Sequence, residues 1–277
     1  MAALDKSILL IGESGVGKSH YGAQLLKRLM QEDGRIRMRG AATNLEPFEA
    51  VMARLDAGLP ADHTATSVYH ESRWPIVDDE GRNAHLIWPD YGGEQVKDII
   101  DDRQLPRIWL KRIAQSSAWL LMIRLQTTRF DDDIFSRPLT SLKENSRESR
   151  EGRLSDQARL IELLQILLYA QSTLDKCMGR LPRLVVLLTC WDEIGSPGKP
   201  IDVLKERLPM FGDFIESNWK DCSVLGMSAL ERALDKEKPD KDYITQGSEQ
   251  FGYVVLEDGT RSPDLTLPIR ELLADPP

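Results

Sequence analysis

Short apolar runs alternate along this chain with segments whose apolar residues recur every three or four positions. The helical patterns cover residues 18–30, 94–114 and 154–177, and each lies next to an apolar run of strand length. Such alternation is typical of a parallel sheet whose connecting helices cover both of its faces. The sequence therefore predicts a three-layer α/β fold with a mostly parallel central sheet. The principal predicted strands read SILLIG, HLIWPD, AWLLMIRL, RLVVLLT and CSVLGMSAL.

Further segments interrupt this alternation. An amphipathic helix, LEPFEAVMARL, is predicted near residues 44–56 because its apolar residues are spaced by three and four. The stretches 126–153 and 231–252 are charged and aperiodic, which predicts exposed insertions. The helical pattern at 200–218 contains Pro209 and is expected to kink or divide there. No repeat or linker divides the sequence, so residues 1–277 are predicted to form a single domain.

The composition narrows the possible function classes. A formal net charge of −8 disfavours general nucleic-acid binding, for which basic clusters are typical. The three cysteines show no paired spacing and predict neither a disulfide framework nor a zinc site. No secretory signal pattern is visible, and no apolar stretch approaches the ~20 residues of a membrane span. We therefore expect a soluble, cytoplasmic protein.

The segment GESGVGKS joins the first predicted strand to the first predicted helix and matches the pattern G-x-x-x-x-G-K-[ST]. Glycines let the backbone wrap around phosphate oxygens, and amides at a helix N-terminus point at the anion. The Lys18 ammonium would reach the β- and γ-phosphates, and the Ser19 hydroxyl would ligate Mg²⁺. The motif predicts a nucleoside triphosphate site without specifying the base. Its candidate nucleotide-binding residues are Gly12, Ser14, Gly15, Val16, Gly17, Lys18, Ser19 and His20.

A second motif, D-x-x-G, follows the predicted strand HLIWPD. The Asp90 carboxylate would hold Mg²⁺ through a water, and the Gly93 amide would bond the γ-phosphate. A simple strand-end turn explains the same letters. Their position at a strand terminus after the phosphate loop nevertheless favours a γ-phosphate sensor.

Together the two motifs resemble those of P-loop GTPases of the translation-factor and signalling class, the Ras-like GTPases. The resemblance implies GTP or GDP as the ligand and Mg²⁺ as the cofactor. It also implies a threonine whose hydroxyl completes the Mg²⁺ shell. The loop ADHTATSVYH offers Thr64 and Thr66 for this role, and Thr64 is favoured because Thr66 is closer to the next strand.

The residues after Gly93 bear on hydrolysis. In the resembling GTPases a glutamine near this position orients the attacking water, whereas this chain has Glu94 followed by Gln95. A carboxylate accepts a hydrogen bond from water but is repelled by the γ-phosphate, so slow or partner-assisted hydrolysis is expected. The catalytic candidates are Lys18, Glu94 and Gln95. The alternative for Glu94 is an acid that the helix dipole favours in a first turn.

The stretch RLVVLLTCWDEIG ends a predicted strand with an acid, Asp192. The resembling GTPases carry N-K-x-D here: Asp pairs with guanine, Lys stacks along the base and Asn braces the phosphate loop. Thr189 and Cys190 replace Asn and Lys in this chain, so weaker affinity with a retained choice of guanine is expected. The neighbouring Trp191 could cover part of the base. The alternative for Asp192 is a capping or solvated acid in a turn.

A further short box supports guanine recognition. Ser228 and Ala229 stand 36 residues after Asp192, at the end of the predicted strand CSVLGMSAL. The resembling GTPases carry S-A-K at this place, with a backbone amide that meets guanine O6. Leu230 replaces the lysine. With Gly93 and Thr189, these residues complete the predicted nucleotide-binding set.

The chain also resembles bacterial GTPase domains of the double-GTPase type, found in multi-gene conflict or effector systems. The inserted helix, the DYGGE switch and the closing DGTRSPDLTLPIRELLA carry this resemblance. It implies a nucleotide-dependent switch whose GTP state is read by a protein partner or effector. Two alternatives remain open at this point. One is a P-loop ATPase or kinase-like enzyme, and the other is a nucleotide-binding scaffold without turnover.

Overall fold

The computed structural model of the chain describes residues 6–32, 34–61, 70–90, 93–128, 155–174, 181–195 and 198–274. Thr64, Thr66 and residues 129–153 of the first predicted insertion lie outside these ranges. The strands of the described part are β1 (Lys6–Ile11), β2 (Ile36–Met38), β3 (His70–Asp78), β4 (Asn83–Asp90), β5 (Ala118–Ile123), β6 (Arg183–Thr189), β7 (Ser223–Ser228), β8 (Tyr253–Val255) and β9 (Arg261–Ser262).

Nine helices accompany these strands within the same described ranges. They are α1 (Lys18–Gln31), α2 (Glu46–Asp56), α3 (Glu94–Asp102), α4 (Arg107–Gln115), α5 (Asp156–Leu174), α6 (Pro200–Arg207), α7 (Pro209–Asn218), α8 (Lys241–Gln246) and α9 (Leu267–Leu273). The predicted inserted helix near 44–56 is α2. No helix of this described part has the length and apolar character needed to span a membrane.

All the strands join one sheet, in the order β2-β3-β4-β1-β5-β6-β7-β8-β9. The five central strands, β4 to β7 in this order, are parallel to their neighbours. Antiparallel pairs extend the sheet at both sides. The prediction of a mostly parallel central sheet is confirmed. Because parallel strands end on the same side, the loops after β4, β1, β5, β6 and β7 meet at one edge.

Apolar side chains cover both faces of the sheet, which explains why the central strands read as unbroken apolar runs. Leu9 and Ile11 of β1 face α3, α4, α5, α6 and α7. Ile8 and Leu10, which alternate with them, face α1, α2 and α9. All four side chains are fully buried. Helices therefore lie on both faces, as the three-layer prediction requires.

Two helical segments are divided. The predicted helix at 94–114 is broken because Arg103, with φ of 52°, ends α3 and Pro106 precedes α4. The break between α6 and α7 at Pro209 agrees with the expected division. Strands β2, β8 and β9 contain only two or three residues, too few for a periodic pattern to indicate them.

The charged segment 231–252 is not simply an exposed loop, because it contains α8 and two buried aromatic rings. Tyr243 and Phe251 stack with their ring centroids 4.1 Å apart, and the Arg232 guanidinium lies over both rings. The loop prediction is therefore wrong for this part, since many charged neighbours hide a small apolar core. We call this core the α1–α2–α8 cluster; its buried members are Ala23, Val51, Leu55, Tyr243 and Phe251.

Candidate functional site

The predicted motifs converge at the edge of the sheet where the central parallel strands end. β1 leads into the phosphate loop, and its parallel neighbour β4 ends at Asp90. On the other side of β1, β5 is followed by Arg124, and β6 is followed by the segment 190–193. We call residues 189–193 the base loop. β7 ends at Ser228, next to it in the sheet.

The phosphate loop has the backbone that an anion site needs. Gly15 and Gly17 adopt left-handed conformations, with φ of 78° and 83°, which other residues rarely take. α1 begins at Lys18, and its first turn contains no acidic residue. The positive end of the helix dipole therefore faces the loop without an intrahelical counter-charge. Such a helix start favours bound phosphate.

Lys18 folds back over the loop. Its Nζ donates hydrogen bonds to the carbonyl oxygen of Gly12, at 2.9 Å, and to that of Glu13, at 2.6 Å. The ammonium group is thus held against the loop backbone rather than extended into solvent. A Cβ on Gly12 would lie 2.8 Å from a methyl carbon of Val16, so the start of the loop is closely packed.

Gly93 lies directly against the phosphate loop. A Cβ at this position would be 1.8 Å from the Ser14 backbone nitrogen and 2.3 Å from its Cα. Any side chain here would therefore displace either the loop or the start of α3. The structure brings the two sequence motifs together at the backbones of Gly93 and Ser14.

The two residues after Gly93 have different surroundings. The Glu94 side chain is exposed at the first position of α3. The Gln95 side-chain oxygen accepts a hydrogen bond from Trp109 Nε1 at 3.3 Å, which links α3 to α4. The side chain of Asp90 and all of Thr64 lie outside what the structure describes. Among the described residues, no three His, Cys, Asp or Glu side chains gather as a metal site.

The base loop and the end of β7 are joined by the predicted pair of residues. Ser228 Oγ donates to Asp192 Oδ1 at 2.5 Å and accepts from the Glu231 amide at 2.8 Å. One hydroxyl has one proton, so the amide contact fixes which way that proton points. Ser228 is 1% exposed, and Asp192 is partly exposed. The buried Ser228 hydroxyl therefore orients the Asp192 carboxylate, which stays accessible at the sheet edge.

The side chains of Thr189 and Cys190, the two altered residues of the base loop, point towards the protein interior. The Thr189 hydroxyl is buried and donates to the Ile123 carbonyl at 3.2 Å, which ties β6 to β5. Cys190 takes a left-handed conformation with φ of 52° and packs near Gly17. Burial raises the pKa of the Cys190 thiol to about 11, so the side chain is uncharged at neutral pH.

The expectation that Trp191 covers the base is wrong. Its ring is 2% exposed and lies within the apolar core on the α5 face. A Cβ on Gly226 would be 2.5 Å from this ring, so the glycine of β7 makes room for it. Trp191 anchors the base loop to the sheet instead.

Arg124 contacts both the phosphate loop and the base loop, and it is not among the residues that the sequence motifs indicate. Its Nη1 donates to the Gly15 carbonyl at 3.2 Å, and its Nε donates to Glu193 at 2.9 Å. The hydrogen bond with Glu193 raises the pKa of the guanidinium. The available signal was a cation directly after the apolar run AWLLMI, at a strand end that faces the site.

Two further side chains connect the phosphate loop region to its surroundings. His20 Nε2 accepts a hydrogen bond from the Ala61 amide at 2.9 Å. Burial, followed by the charge of Arg124, lowers the pKa of His20 to about 4, so its ring is neutral and able to accept. On α5, Arg159 reaches Asp101 of α3 at 3.0 Å and Glu13 of the loop at 3.3 Å.

Several solved structures are similar to this chain at low identity. The Methanosarcina barkeri Roco2 RocCORdC structure bound to GDP is 15% identical with a TM-score of 0.34, over 88% of this chain and 47% of that one. The SRb-GTP/SRX complex from Chaetomium thermophilum is 15% identical with a TM-score of 0.39, over 84% and 94%. The Saccharomyces cerevisiae Ski7 GTPase-like domain bound to GTP is 13% identical with a TM-score of 0.44, over 82% and 43%.

The chain spans about half of the Roco2 chain and about a quarter of a bacterial selenocysteine-specific elongation factor, with matches over 47% and 26% of their lengths. No curated protein sequence matches it. A family model described as Double-GTPase 1 matches residues 9–272. This match includes the phosphate loop, the base loop and the end of β7. The chain therefore belongs to the Double-GTPase 1 family and is a nucleotide-binding GTPase.

Proposed function

We propose that residues 1–277 work as a single Mg²⁺-dependent GTPase domain that switches between GTP and GDP states read by a protein partner. The observation that carries this proposal is the placement of an anion-binding loop and an oriented carboxylate at the same sheet edge. The loop suits phosphates, and the carboxylate suits the edge of a base. A nucleotide lying along this edge contacts both.

The phosphate end of the proposal rests on backbone and charge. The amides of residues 14–19 are proposed to point at the phosphates at the start of α1, where the helix dipole favours an anion. The Lys18 ammonium is held by two loop carbonyls and can turn to phosphate oxygens without leaving the loop. The proposed contacts are with Gly12, Ser14, Gly15, Val16, Gly17, Lys18, Ser19, His20 and, at the γ-phosphate, Gly93.

The base end rests on Asp192. Guanine presents two donors, at N1 and N2, that a carboxylate can accept, whereas adenine presents no such pair. A site built to pair one base edge rejects a base that leaves its polar groups unpaired. The Ser228 bond holds the carboxylate in one direction. Ala229, which follows β7, is proposed to offer its amide to guanine O6, and Thr189 supports the loop through Ile123.

Mg²⁺ would be held by oxygen ligands from Ser19, Asp90 and Thr64. Serine hydroxyl and carboxylate oxygens are the hard ligands that Mg²⁺ prefers. The fit is supported by the sheet, because β4, which ends at Asp90, is the parallel neighbour of the strand that leads to the phosphate loop. When bound, the ion would neutralise charge on the β- and γ-phosphates.

Hydrolysis is proposed to be slow without a partner. Among the candidates Lys18, Glu94 and Gln95, the exposed Glu94 is the one that a water next to the γ-phosphate could approach. Its carboxylate can accept a hydrogen bond from the attacking water, but its negative charge is repelled by the γ-phosphate. Gln95 would have to leave Trp109 before it could orient that water. A partner that reads the GTP state could supply the missing positive charge.

The cellular setting is a further part of the proposal. The resemblance to double-GTPase domains of bacterial conflict and effector systems, together with membership of the family, supports a cytoplasmic role in such a system. The net charge of −8 supports a protein rather than a nucleic acid as the partner.

The test is displacement of labelled GDP, in the presence of Mg²⁺, by unlabelled GTP, ATP and ADP. Guanine nucleotides are expected to compete and adenine nucleotides are not. Asp192→Asn should weaken GDP binding by about a hundredfold, because a guanine donor would then face an amide donor. The same variant should gain affinity for xanthosine diphosphate, whose O2 accepts from that amide.

A misfolded variant would not gain affinity for xanthosine diphosphate. Such a gain therefore distinguishes a change in base recognition from a loss of the folded structure. Asp202→Asn, an exposed acid in the first turn of α6, is the matched control and should leave both affinities unchanged. Equal competition by ATP would favour the ATPase or kinase-like alternative. GTP binding with no phosphate release in the presence of Mg²⁺ would favour the scaffold.

A further inference from the structure

Arg124 lies between the two loops that a nucleotide would contact. β5 ends at Ile123, and in the sheet β5 stands between β1, which leads to the phosphate loop, and β6, which leads to the base loop. Its guanidinium reaches the Gly15 carbonyl on one side and the Glu193 carboxylate on the other. One side chain therefore joins both loops.

The chemistry of arginine suits this connection. A guanidinium holds its N–H groups in a fixed plane. Two of its nitrogens can therefore donate hydrogen bonds to a carboxylate while the third donates to a carbonyl. The pair with Glu193 is part-buried, with 30% and 28% of the two side chains exposed. It is thus shielded from solvent more than an ordinary surface pair, and less of its strength is lost to water.

The base loop itself makes no comparable connection through its two altered positions. The Thr189 hydroxyl is used within the sheet, on the Ile123 carbonyl. The Cys190 side chain packs near Gly17 but is a neutral thiol. The positive charge next to these residues therefore comes from the neighbouring strand.

We infer that Arg124 is a positioning residue for the guanine nucleotide, which fixes the separation of the phosphate loop and the base loop and places a positive charge beside the base site. This inference rests on the proposed function and deepens it. A nucleotide has a set distance between its phosphates and its base. Holding both loops at that distance before binding avoids an ordering cost during binding.

The experiment titrates labelled GDP, with Mg²⁺, into the full chain and into Arg124→Met, which removes the charge but keeps a long side chain. The dissociation constant is expected to rise about tenfold to a hundredfold, the range for losing a charge-assisted hydrogen bond. Arg270→Met is the matched control. Arg270 is also part-buried and paired with an acid, Asp79, but it lies on α9, away from the site. It should bind GDP as the unaltered chain does.

A second variant separates positioning from simple structural support. Cys190→Lys, added to Arg124→Met, returns a cation to the space between the loops, and affinity should recover at least about threefold. Cys190→Lys alone is the reference, because a lysine at position 190 is expected to stack along the base in either background, and its gain in affinity should be larger when Arg124 is replaced. Arg124→Met binding within about twofold of the unaltered chain would overturn the inference, as would a gain from Cys190→Lys that is equal in the two backgrounds.

If Arg124→Met does not fold, Glu193→Gln provides the same test from the other partner. It weakens one end of the connection and should raise the GDP dissociation constant about fivefold, whereas no change would overturn the inference. A different result, in which the unaltered chain binds no guanine nucleotide, would defeat the proposed function itself.

Discussion

The base end and the γ-phosphate end of the proposed nucleotide site are each held in place by a different kind of contact. At the base end, the buried hydroxyls of Thr189 and Ser228 make hydrogen bonds that link neighbouring strand ends. At the γ-phosphate end, α3 meets the phosphate loop through the backbone of Gly93 and through the ion pairs of Arg159. Buried hydrogen bonds are costly to break, whereas partly exposed ion pairs rearrange at little cost.

This difference assigns different behaviour to the two ends. We expect the base end, whose hydrogen bonds are already formed, to select a base without large movement. We expect the γ-phosphate end to change its contacts when a phosphate binds near Gly93 and Ser14. Variants at each end should therefore affect different steps.

Gly93→Ala should produce the largest effect of these variants, and this effect should be confined to the γ-phosphate end. A methyl group would lie 1.8 Å from the Ser14 backbone nitrogen, so α3 or the phosphate loop must shift by an ångström or more. Because misplacement on this scale can cost about a hundredfold in rate, single-turnover phosphate release from GTP should fall about that much. GDP affinity should change far less.

The control for this variant is Gly40→Ala, where a Cβ would meet only Pro75 at an ordinary 3.7 Å. Its rate of phosphate release should equal that of the unaltered chain. An unchanged rate in Gly93→Ala would show that α3 adjusts freely, and the contrast between the two ends would disappear.

Ser228→Ala tests the base end and should have an intermediate effect. It removes the hydroxyl that orients Asp192, so the GDP dissociation constant should rise about tenfold. The preference for GDP over inosine diphosphate, which lacks the N2 donor, should narrow as well. Competition titrations with the two nucleotides measure both quantities.

Two matched variants sharpen this result. Ser228→Thr keeps a hydroxyl and should retain most of the affinity, while Ser223→Ala, at the opposite end of β7, should have no effect. If Ser228→Ala slowed hydrolysis but left base preference intact, the assignment of this hydroxyl to the base end would be wrong.

His20 links α1 to Ala61, and its variant should give the smallest effect. Burial lowers the pKa of His20 from 6.5 to about 4, so the unfolded chain takes up a proton at a higher pH than the native protein. The stability contributed by the neutral ring is complete above pH 6.5 and declines as the pH falls towards 4.

His20→Gln keeps an acceptor but does not titrate. Between pH 7.5 and 5.5 its free energy of unfolding should therefore fall by about 1 kcal/mol less than that of the unaltered chain. Urea unfolding at the two pH values measures the difference, with His85→Gln on β4 as the control. Equal losses in both chains would mean that the imidazole takes up a proton as readily in the native protein as in the unfolded chain.

The meeting of the predicted motifs at one sheet edge could be predicted because it depends on local patterns, whereas the roles of the individual residues stay predictions. The phosphate loop, the D-x-x-G turn and Asp192 each follow an apolar strand, and parallel strands bring their ends together. The pairing of Ser228 with Asp192 also agrees with their spacing in the sequence. Each of these inferences needed only a motif and one strand.

The contacts of Arg124 could not be predicted in this way, because they are made with two loops that are distant from it in sequence. Gly15 is 109 residues away and Glu193 is 69 residues away. α8 was hidden for a different reason: of its own residues only Tyr243 is buried in the α1–α2–α8 cluster, so its sequence shows no periodic apolar face. The inward turn of Trp191 depended on the glycine opposite it, Gly226.

The α1–α2–α8 cluster has a consequence for the boundaries within which this chain can be shortened. The segment 231–252 looks dispensable because it is charged, yet its rings cover Ala23, Val51 and Leu55, and the Asp240 amide donates to the Gly58 carbonyl. Removing the segment would uncover Val51 and Leu55 of α2, and it would take away a contact of the chain that leads from α2 to Ala61 and His20. The segment that looks like an appendage is therefore part of the smallest unit able to hold the nucleotide site.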